Sequence, residues 1–332
     1  MTRPRWYPLA AVLLAAAMVL GLVKLVGLAG SRLGTPGLPE GWMIIRPPNE
    51  ACALAEQGDV IWAGGRDGLF AINRHTGELQ ALPAGAPRMR YVKGIVVDRT
   101  GGLWVAHSRG LSRYADGAWS SLGEGEGLLP GPATALWLDP DGSLWVGAET
   151  GVVRRDGSST QVFTTADGLA APAVDVVFRD RDGVLWLGSA HPSEGGLSSF
   201  DGQRWRSWTV ADGLPHSSIN ALFQSEDGTL WVATGFARRG GAARLAGDRW
   251  VPLMREDGLA GEKVRSMFED SGGRLWFASE YDGVAIRNGA GFKILTPREG
   301  LAGWEVKYPL QDREGVLWLA TEGGVNRIAE LP

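Results

Sequence analysis

Apolar and polar positions recur with one long period over residues 41–332. A short apolar run leads into an acidic turn, then Gly, a variable residue, a hydrophobic residue and Trp. The copies read DRTGGLWVA, DPDGSLWVG, DRDGVLWLG, SEDGTLWVA, DSGGRLWFA and DREGVLWLA, with EQGDVIWAG as a degenerate first copy. The tryptophans, Trp62, Trp104, Trp145, Trp186, Trp231, Trp276 and Trp318, stand 42, 41, 41, 45, 45 and 42 residues apart. Each period divides into four strand-length pieces: an apolar one such as INALFQ (219–224), one starting at the Leu-Trp pair, one after a Gly such as GLSRY (110–114), and a fourth. The fourth often carries an aromatic residue: Trp119, Phe163, Trp205, Trp250 or Phe292. Four short antiparallel strands in about 40 residues are the signature of a propeller blade. Helical repeats are excluded by the 49 glycines and the frequent short turn signals, which would interrupt helices throughout. The pattern predicts an all-β fold, a seven-bladed β-propeller of four-stranded blades.

The ends of the repeat region predict how the ring closes. The seventh copy stops after its third strand, GVNRIAE, while GWMIIRP (41–47) stands ahead of the first copy as a spare fourth strand. Its Trp42 matches the aromatic of the other outer strands. Residues 41–47 are therefore expected to complete the last blade and cover edges that would otherwise be open.

A different pattern precedes the repeats. Residues 6–23, WYPLAAVLLAAAMVLGLV, form an uncharged apolar run behind Arg3 and Arg5. Extended past Lys24, whose ammonium can snorkel, the segment 6–30 is 25 residues long, enough to cross a hydrocarbon core of roughly 30 Å. The arginines should remain cytoplasmic. Residues 1–30 are thus read as an N-terminal transmembrane helix, 31–40 as a linker and 41–332 as the propeller. The expected place is the inner (cytoplasmic) membrane, single-pass, with the propeller outside the cytoplasm. The alternative is a cleaved signal sequence releasing a periplasmic or secreted protein, although Leu28-Ala29-Gly30 fits the usual cleavage rule poorly.

Composition removes several kinds of chemistry. Cys52 is the single cysteine, and the four histidines (His75, His107, His191, His216) lack metal-ligand spacing. Beyond residue 40 the chain carries 29 basic and 36 acidic residues, a net charge of −7, which argues against a nucleic-acid partner. Acidic turns such as Asp139-Pro-Asp141-Gly142, Asp180-Arg-Asp182-Gly183 and Asp312-Arg-Glu314-Gly315 invite a calcium reading. A calcium cage needs six to eight oxygens and usually a downstream Glu, which is missing. Asp hydrogen-bonding its own turn is the simpler account. No serine-nucleophile elbow, metal-binding His pair or phosphate loop is present. His191 and His216 are the residues left for acid or base work. The chain reads as a binding module rather than an enzyme, with no cofactor and no metal expected.

Candidate binding residues come from the start of each innermost strand. Aligned five residues before the acidic turn are Cys52, Lys93, Thr134, Asp175, Asn220, Arg265 and Lys307, mostly polar between apolar neighbours. One such residue per blade should encircle a mouth of the central channel. Lys93, Thr134, Asp175, Asn220, Arg265 and Lys307 are the predicted ligand contacts, suited to a polyhydroxylated or anionic molecule; a solvated ring of compensating charges is the competing account. Longer loops between second and third strands, Ala190-His191-Pro192-Ser193-Glu194 and Gly235-Phe236-Ala237-Arg238-Arg239, explain the two spacings of 45. They add His191, Glu194, Phe236 and Arg238, and the sixth copy adds Tyr281, as loop contacts.

The period D-x-x-G-x-L-W-[VL]-[GA]-T-x-x-G-[LV]-x-R, followed by D-G-L, resembles the two-component regulator propeller repeat. The D-G-L elements are Asp167-Gly168-Leu169, Asp212-Gly213-Leu214 and Asp257-Gly258-Leu259, with Glu299-Gly300-Leu301 and Gly127-Leu128 as variants. The resemblance covers nearly all of 41–332. It implies the extracytoplasmic sensor part of membrane histidine kinases, which takes part in recognising ligands such as oligosaccharides. The 332 residues contain no immunoglobulin-like connector, second span or kinase, so output is expected through a membrane or periplasmic protein partner. The leading expectation is an anchored sensor that recognises a small polar molecule or glycan. A protein-interaction scaffold is the second reading, and a propeller lyase or hydrolase the third.

Overall fold

Every repeat folds into its own four-stranded antiparallel sheet, and there are seven of them. The computed structural model describes residues 37–330, apart from Ser158 and Ala290. The expected membrane segment, and most of the expected linker, lie outside the described residues. Among the described residues no helix is long and apolar enough to cross a membrane.

In the third blade, Ala135–Leu138, Leu144–Ala148, Gly151–Asp156 and Ser159–Phe163 pair in chain order. Burial explains their composition. Leu144–Ala148 is buried at every position, because blades pack against both of its faces, so it reads as a continuous apolar run rather than an alternating one. Ser159–Phe163 borders solvent and is almost wholly exposed. Innermost strands run from one end of the bore toward the acidic turns. The acidic turns therefore form one face, the floor. The second-to-third-strand loops and the D-G-L connections form the other, the mouth face.

Each repeat tryptophan fills the wedge between its own blade and the next. Trp145 packs with Val177, Leu185 and Leu187 of the fourth blade, and Trp186 with Leu230 and Val232 of the fifth. Trp318 of the last blade packs with Leu54, Ile61 and Ala63 of the first. A buried indole N–H needs an acceptor, and the acidic turn supplies it. Trp104, Trp145, Trp186, Trp276 and Trp318 donate to Asp98, Asp139, Asp180, Asp270 and Asp312 at 2.7–3.0 Å. In the degenerate first blade Gln57 takes the role, accepting from Trp62 at 2.8 Å. The same carboxylates accept their own turn's N–H groups, as Asp180 does from Asp182 and Val184, while Gly183 supplies a φ of 84°. These donors occupy the first carboxylate of each turn, in keeping with the structural reading of those acids.

The D-G-L element anchors the return from the outer strand to the next inner one. Asp212 accepts the Thr209 N–H at 2.8 Å, and Leu214 is buried. Gly213 has φ 100°, and a Cβ there would sit 2.0 Å from the Trp250 carbonyl oxygen.

The expected closure is present. Trp42–Ile45 pairs antiparallel with Gly324–Ile328, Trp42 opposite Ile328 and Ile45 opposite Val325, completing the sheet of Val306–Gln311 and Leu317–Thr321. The Trp42 indole donates to the Glu330 carbonyl at 3.0 Å, and the Ala329 N–H to Gly41 at 3.0 Å. Gly41 and Glu330 thus both lie at the floor end of this sheet. A charged cluster joins this sheet to the first blade: Arg74, 2% exposed, reaches Glu314 of the last blade at 2.8 Å and Asp59 of its own at 3.3 Å.

Two predictions follow from the Asp–Trp contact. The fifth blade carries Ser225 where five of the other six carry Asp, and the buried Trp231 Nε1 has no partner. Ser225→Asp should supply one, since the fourth blade holds Asp180 and Asp182 at the same two turn positions. A gain of about 1 kcal/mol is expected, read by calorimetry as a rise in Tm of a few degrees; an unchanged or lower Tm would count against it. Asp98 gives a pH dependence. Burial pushes its carboxyl up, but hydrogen bonds from Thr100, Gly102, Trp104 and Arg113 outweigh that and hold it well below the carboxylate range. A depressed acid stabilises the fold above its unfolded value near pH 4 and loses this as pH falls through the folded value. Urea titrations should therefore show Asp98→Asn less stable than wild type at pH 6, with the gap narrowing toward pH 2.

Candidate functional site

The predicted ring is created by a backbone irregularity repeated in each blade. Register shifts between Ile219 and Ala221, Val264 and Ser266, and Val306 and Tyr308 leave Asn220, Arg265 and Lys307 as extra residues. In the other four blades the N–H of Cys52, Lys93, Thr134 and Asp175 donates to Gly64, Ala106, Gly147 and Gly188 at 2.6–2.9 Å. Each of those acceptors lies opposite the following residue: Ala53, Gly94, Ala135 and Val176 respectively. Two residues facing one is a bulge, which re-aims a side chain without moving the rest of the strand. Just before it, Ala51, Val92, Val174 and Ile219 are buried, and their N–H groups bond to the preceding blade at 2.8–2.9 Å.

All seven ring residues, with Glu50, line one central cavity of about 770 Å³. Deeper in the bore the lining becomes apolar and then aromatic, with Trp137, Phe178, Phe223 and Phe268 directly opposite the repeat tryptophans. Tyr308, 43% exposed, adds a phenol to the lining.

Most of the ring's polar groups are already engaged. Thr134 Oγ1 donates to the Val174 carbonyl at 2.6 Å, and Asn220 Nδ2 to Val264 at 2.8 Å and Gly235 at 3.0 Å. The bonds to Val174 and Val264 staple blade three to blade four and blade five to blade six. Lys307 pairs with Glu50 at 2.5 Å and with Glu305 at 3.3 Å. Arg265 Nε stands 2.9 Å from Glu305 and 3.6 Å from Glu280, and Glu280 also pairs with Lys263. The hydrogen bond from Lys307 holds Glu50 below the carboxylate range. Burial alone would lower the Lys307 ammonium, but Glu50, Cys52 and Glu305 raise it instead. Burial pushes the Cys52 thiol up. Asp175 accepts the Ala190 N–H at 2.8 Å through one oxygen. Lys93 is exposed and, among the described residues, has no ion-pair partner.

Glu50, Lys263, Glu280 and Glu305 were absent from the sequence-derived set. Three of them carried a signal: Glu50, Lys263 and Glu305 each precede a ring residue by two positions, the spacing that returns to one face of a strand.

The predicted loop residues stand on the rim, and none of the five lines the cavity. The insertion around Phe236 is not a loop. Leu230–Phe236 and Arg239–Ala246 extend the sheet into a longer hairpin, with Phe236 opposite Arg239 and Ala237 at φ 53° in the turn. The flanking Gly235 and Gly240 look like loop punctuation but are paired within the ladder. Arg238 lies 5.1 Å over the Tyr281 ring and 4.0 Å from Asp282, while Lys263 lies 5.6 Å from the Phe236 ring centre. Trp304, overlooked in the sequence, continues this exposed aromatic arc: its carbonyl accepts the Gly283 N–H at 3.1 Å. His191 and Glu194 are exposed, and His191 Nδ1 accepts the Glu194 N–H at 2.9 Å, so the histidine caps its own loop.

The two component regulator propeller profile matches residues 213–236 and 258–281, each running from a D-G-L glycine through the Leu-Trp strand of the same blade. The chain carries two-component regulator propeller repeats. Among solved structures, the ring is similar to the extracellular domain of a protein described as a hybrid two component system of B. thetaiotaomicron, with TM-score 0.73 and 19% identity over 87% of this chain and 41% of that one. It is also similar to virginiamycin B lyase of Staphylococcus aureus, with TM-score 0.66 and 13% identity over 86% of this chain and 97% of the lyase. A surface component of the type-IX secretion system of Porphyromonas gingivalis matches with TM-score 0.67 and 15% identity over 84% of this chain and 46% of its own. At these identities the likeness is one of fold, and the chain spans about two fifths of the first of these structures. No curated protein matches the chain.

Blades six and seven meet at a shared carboxylate, Glu305, 8% exposed. A double-mutant cycle of Arg265→Ala and Glu305→Ala should give a coupling of about 1–3 kcal/mol, barely weakened by 0.5 M salt because the pair is sheltered. A coupling near zero would mean that the mouth charges are solvated independently.

Proposed function

We propose that the chain is an extracytoplasmic ligand-binding sensor propeller that recognises a small polar molecule or glycan and acts through a protein partner. In this reading residues 6–30 hold it at the cytoplasmic membrane, or direct export and are removed. The observation that carries the proposal is the central cavity, closed round by seven blades and opening through a ring of charged and polar side chains. Ligand sites are concave, largely apolar and furnished with a few convergent polar groups, and this cavity meets that description. The two-component regulator propeller repeats support a sensing role.

The ion pairs suggest how binding is passed outward. Arg265 at the mouth shares Glu280 with Lys263, and Lys263 lies beside Phe236 on the rim. Glu280 also adjoins Tyr281 and pushes its phenol above the ordinary value. A ligand that competes for Arg265 would alter what holds Glu280, and with it the aromatic arc available to a partner. Coupling of this kind requires the ligand to favour one arrangement over the other.

The test is a thermal-shift screen of the full chain against sugars, amino acids, organic acids, nucleotides and Ca²⁺. A ligand at about 100 times its Kd should add roughly 2.7 kcal/mol of stability. The shift should be lost in Lys93→Ala or Arg265→Ala and retained in His191→Ala on the rim. A shift indifferent to both mouth variants, or no shift with any compound, would sink the reading.

A further inference from the structure

Resting on the mouth as the ligand site, we infer that its ligand is a small zwitterion with an apolar or aromatic body, an amino acid or short peptide rather than a sugar. Two independent observations converge on this class.

The first is which charges at the mouth are open. On blades six, seven and one, Arg265 and Lys307 are matched by Glu280, Glu305 and Glu50. On blades three and five, Thr134 and Asn220 donate to backbone carbonyls. Blades two and four remain. Lys93 has no ion-pair partner among the described residues, and Asp175 has one oxygen bonded to the Ala190 N–H while its other oxygen takes no hydrogen bond there. These opposite charges flank one blade, line the same cavity and do not pair with each other. A cation and an anion held apart at one mouth complement a ligand that brings a carboxylate to the first and an ammonium to the second.

The second observation is the bore beneath. Below the ring the cavity is lined by Leu136, Leu222 and Met267 and then by Trp137, Phe178 and Phe268. A polyhydroxylated ligand lowered past the mouth would lose water from its hydroxyls against these side chains, with little to replace it. A benzyl or branched alkyl group meets the same surface favourably. The charged head therefore stays at the mouth, where Lys93 is exposed, and the body points down the bore.

The experiment is calorimetric titration of the full chain with L-phenylalanine, L-leucine and the dipeptide Gly-Phe, which carries its two charges further apart. The controls are 3-phenylpropionate (no amine), 2-phenylethylamine (no carboxylate), L-serine and glucose. At least one of the three zwitterions should bind tenfold or more tightly than both single-charge controls and than serine. Lys93→Met should reduce that zwitterion to the level of the amine, and Asp175→Asn to the level of the acid, with both variants melting within a few degrees of wild type. If 3-phenylpropionate binds as well and Asp175→Asn changes nothing, the zwitterion is wrong while the mouth remains a ligand site. Tighter binding by glucose or serine, lost in Lys93→Met, overturns the apolar body in the same way. If no probe binds and the broader screen is also flat, both readings fall together.

Discussion

The indole N–H of the repeat tryptophan is the constraint around which this ring is organised. A propeller blade is thin where it meets its neighbours, and a wide flat side chain is needed to fill the wedge. That side chain brings a polar atom into a dry place, and an unpaired buried donor is costly. Asp six residues earlier solves the problem while organising its own turn, so one carboxylate serves the turn, the wedge and the blade boundary. The first blade solves it differently, with Gln57, so the requirement is for an acceptor rather than for a particular residue.

The candidate site is separated from this frame by the bulge. Because each ring residue is an extra residue, its identity is free of the strand register that places the tryptophans. The seven ring positions hold Cys, Lys, Thr, Asp, Asn, Arg and Lys, while the positions just before them are uniformly apolar. The result is a mouth divided in two. One arc is internally neutralised through Glu50, Glu280 and Glu305, and the other presents Lys93 and Asp175. Any recognition by this ring is thereby biased to one side of its axis.

Local periodicity made much of this legible. The repeat spacing set the number of blades, the outer-strand aromatic marked Trp42 as the missing fourth strand, and the alternation around Lys93 or Arg265 placed one polar residue per blade at the bore. Contacts between blades were not legible, because they join residues about one repeat apart. Thr134 meets the Val174 carbonyl, and Arg265 meets Glu305, each 40 residues away. Nothing within a single period shows that these side chains already have partners. The hairpin at Phe236 was misread as a loop because its glycines look like turn signals but sit in the ladder. Trp304 was missed because its position has no aromatic counterpart: the other repeats hold Asn49, Arg90, Gly131, Pro172, Ser217 and Glu262 there.

The strand that closes the ring also decides how the ring can be held. Trp42 and Ile328 lie at the floor end of the last sheet, and Ile45 and Val325 at the mouth end. The chain therefore joins the sheet from below, and its last described residues leave from below. A covalent handle at either end grips the floor, and a pull along it loads a four-residue antiparallel pairing before it loads any inner strand. The blade that grips the handle is also the blade that contributes Lys307 and Glu305 to the mouth. A load applied at the floor and a contact made at the mouth would therefore meet in the same sheet.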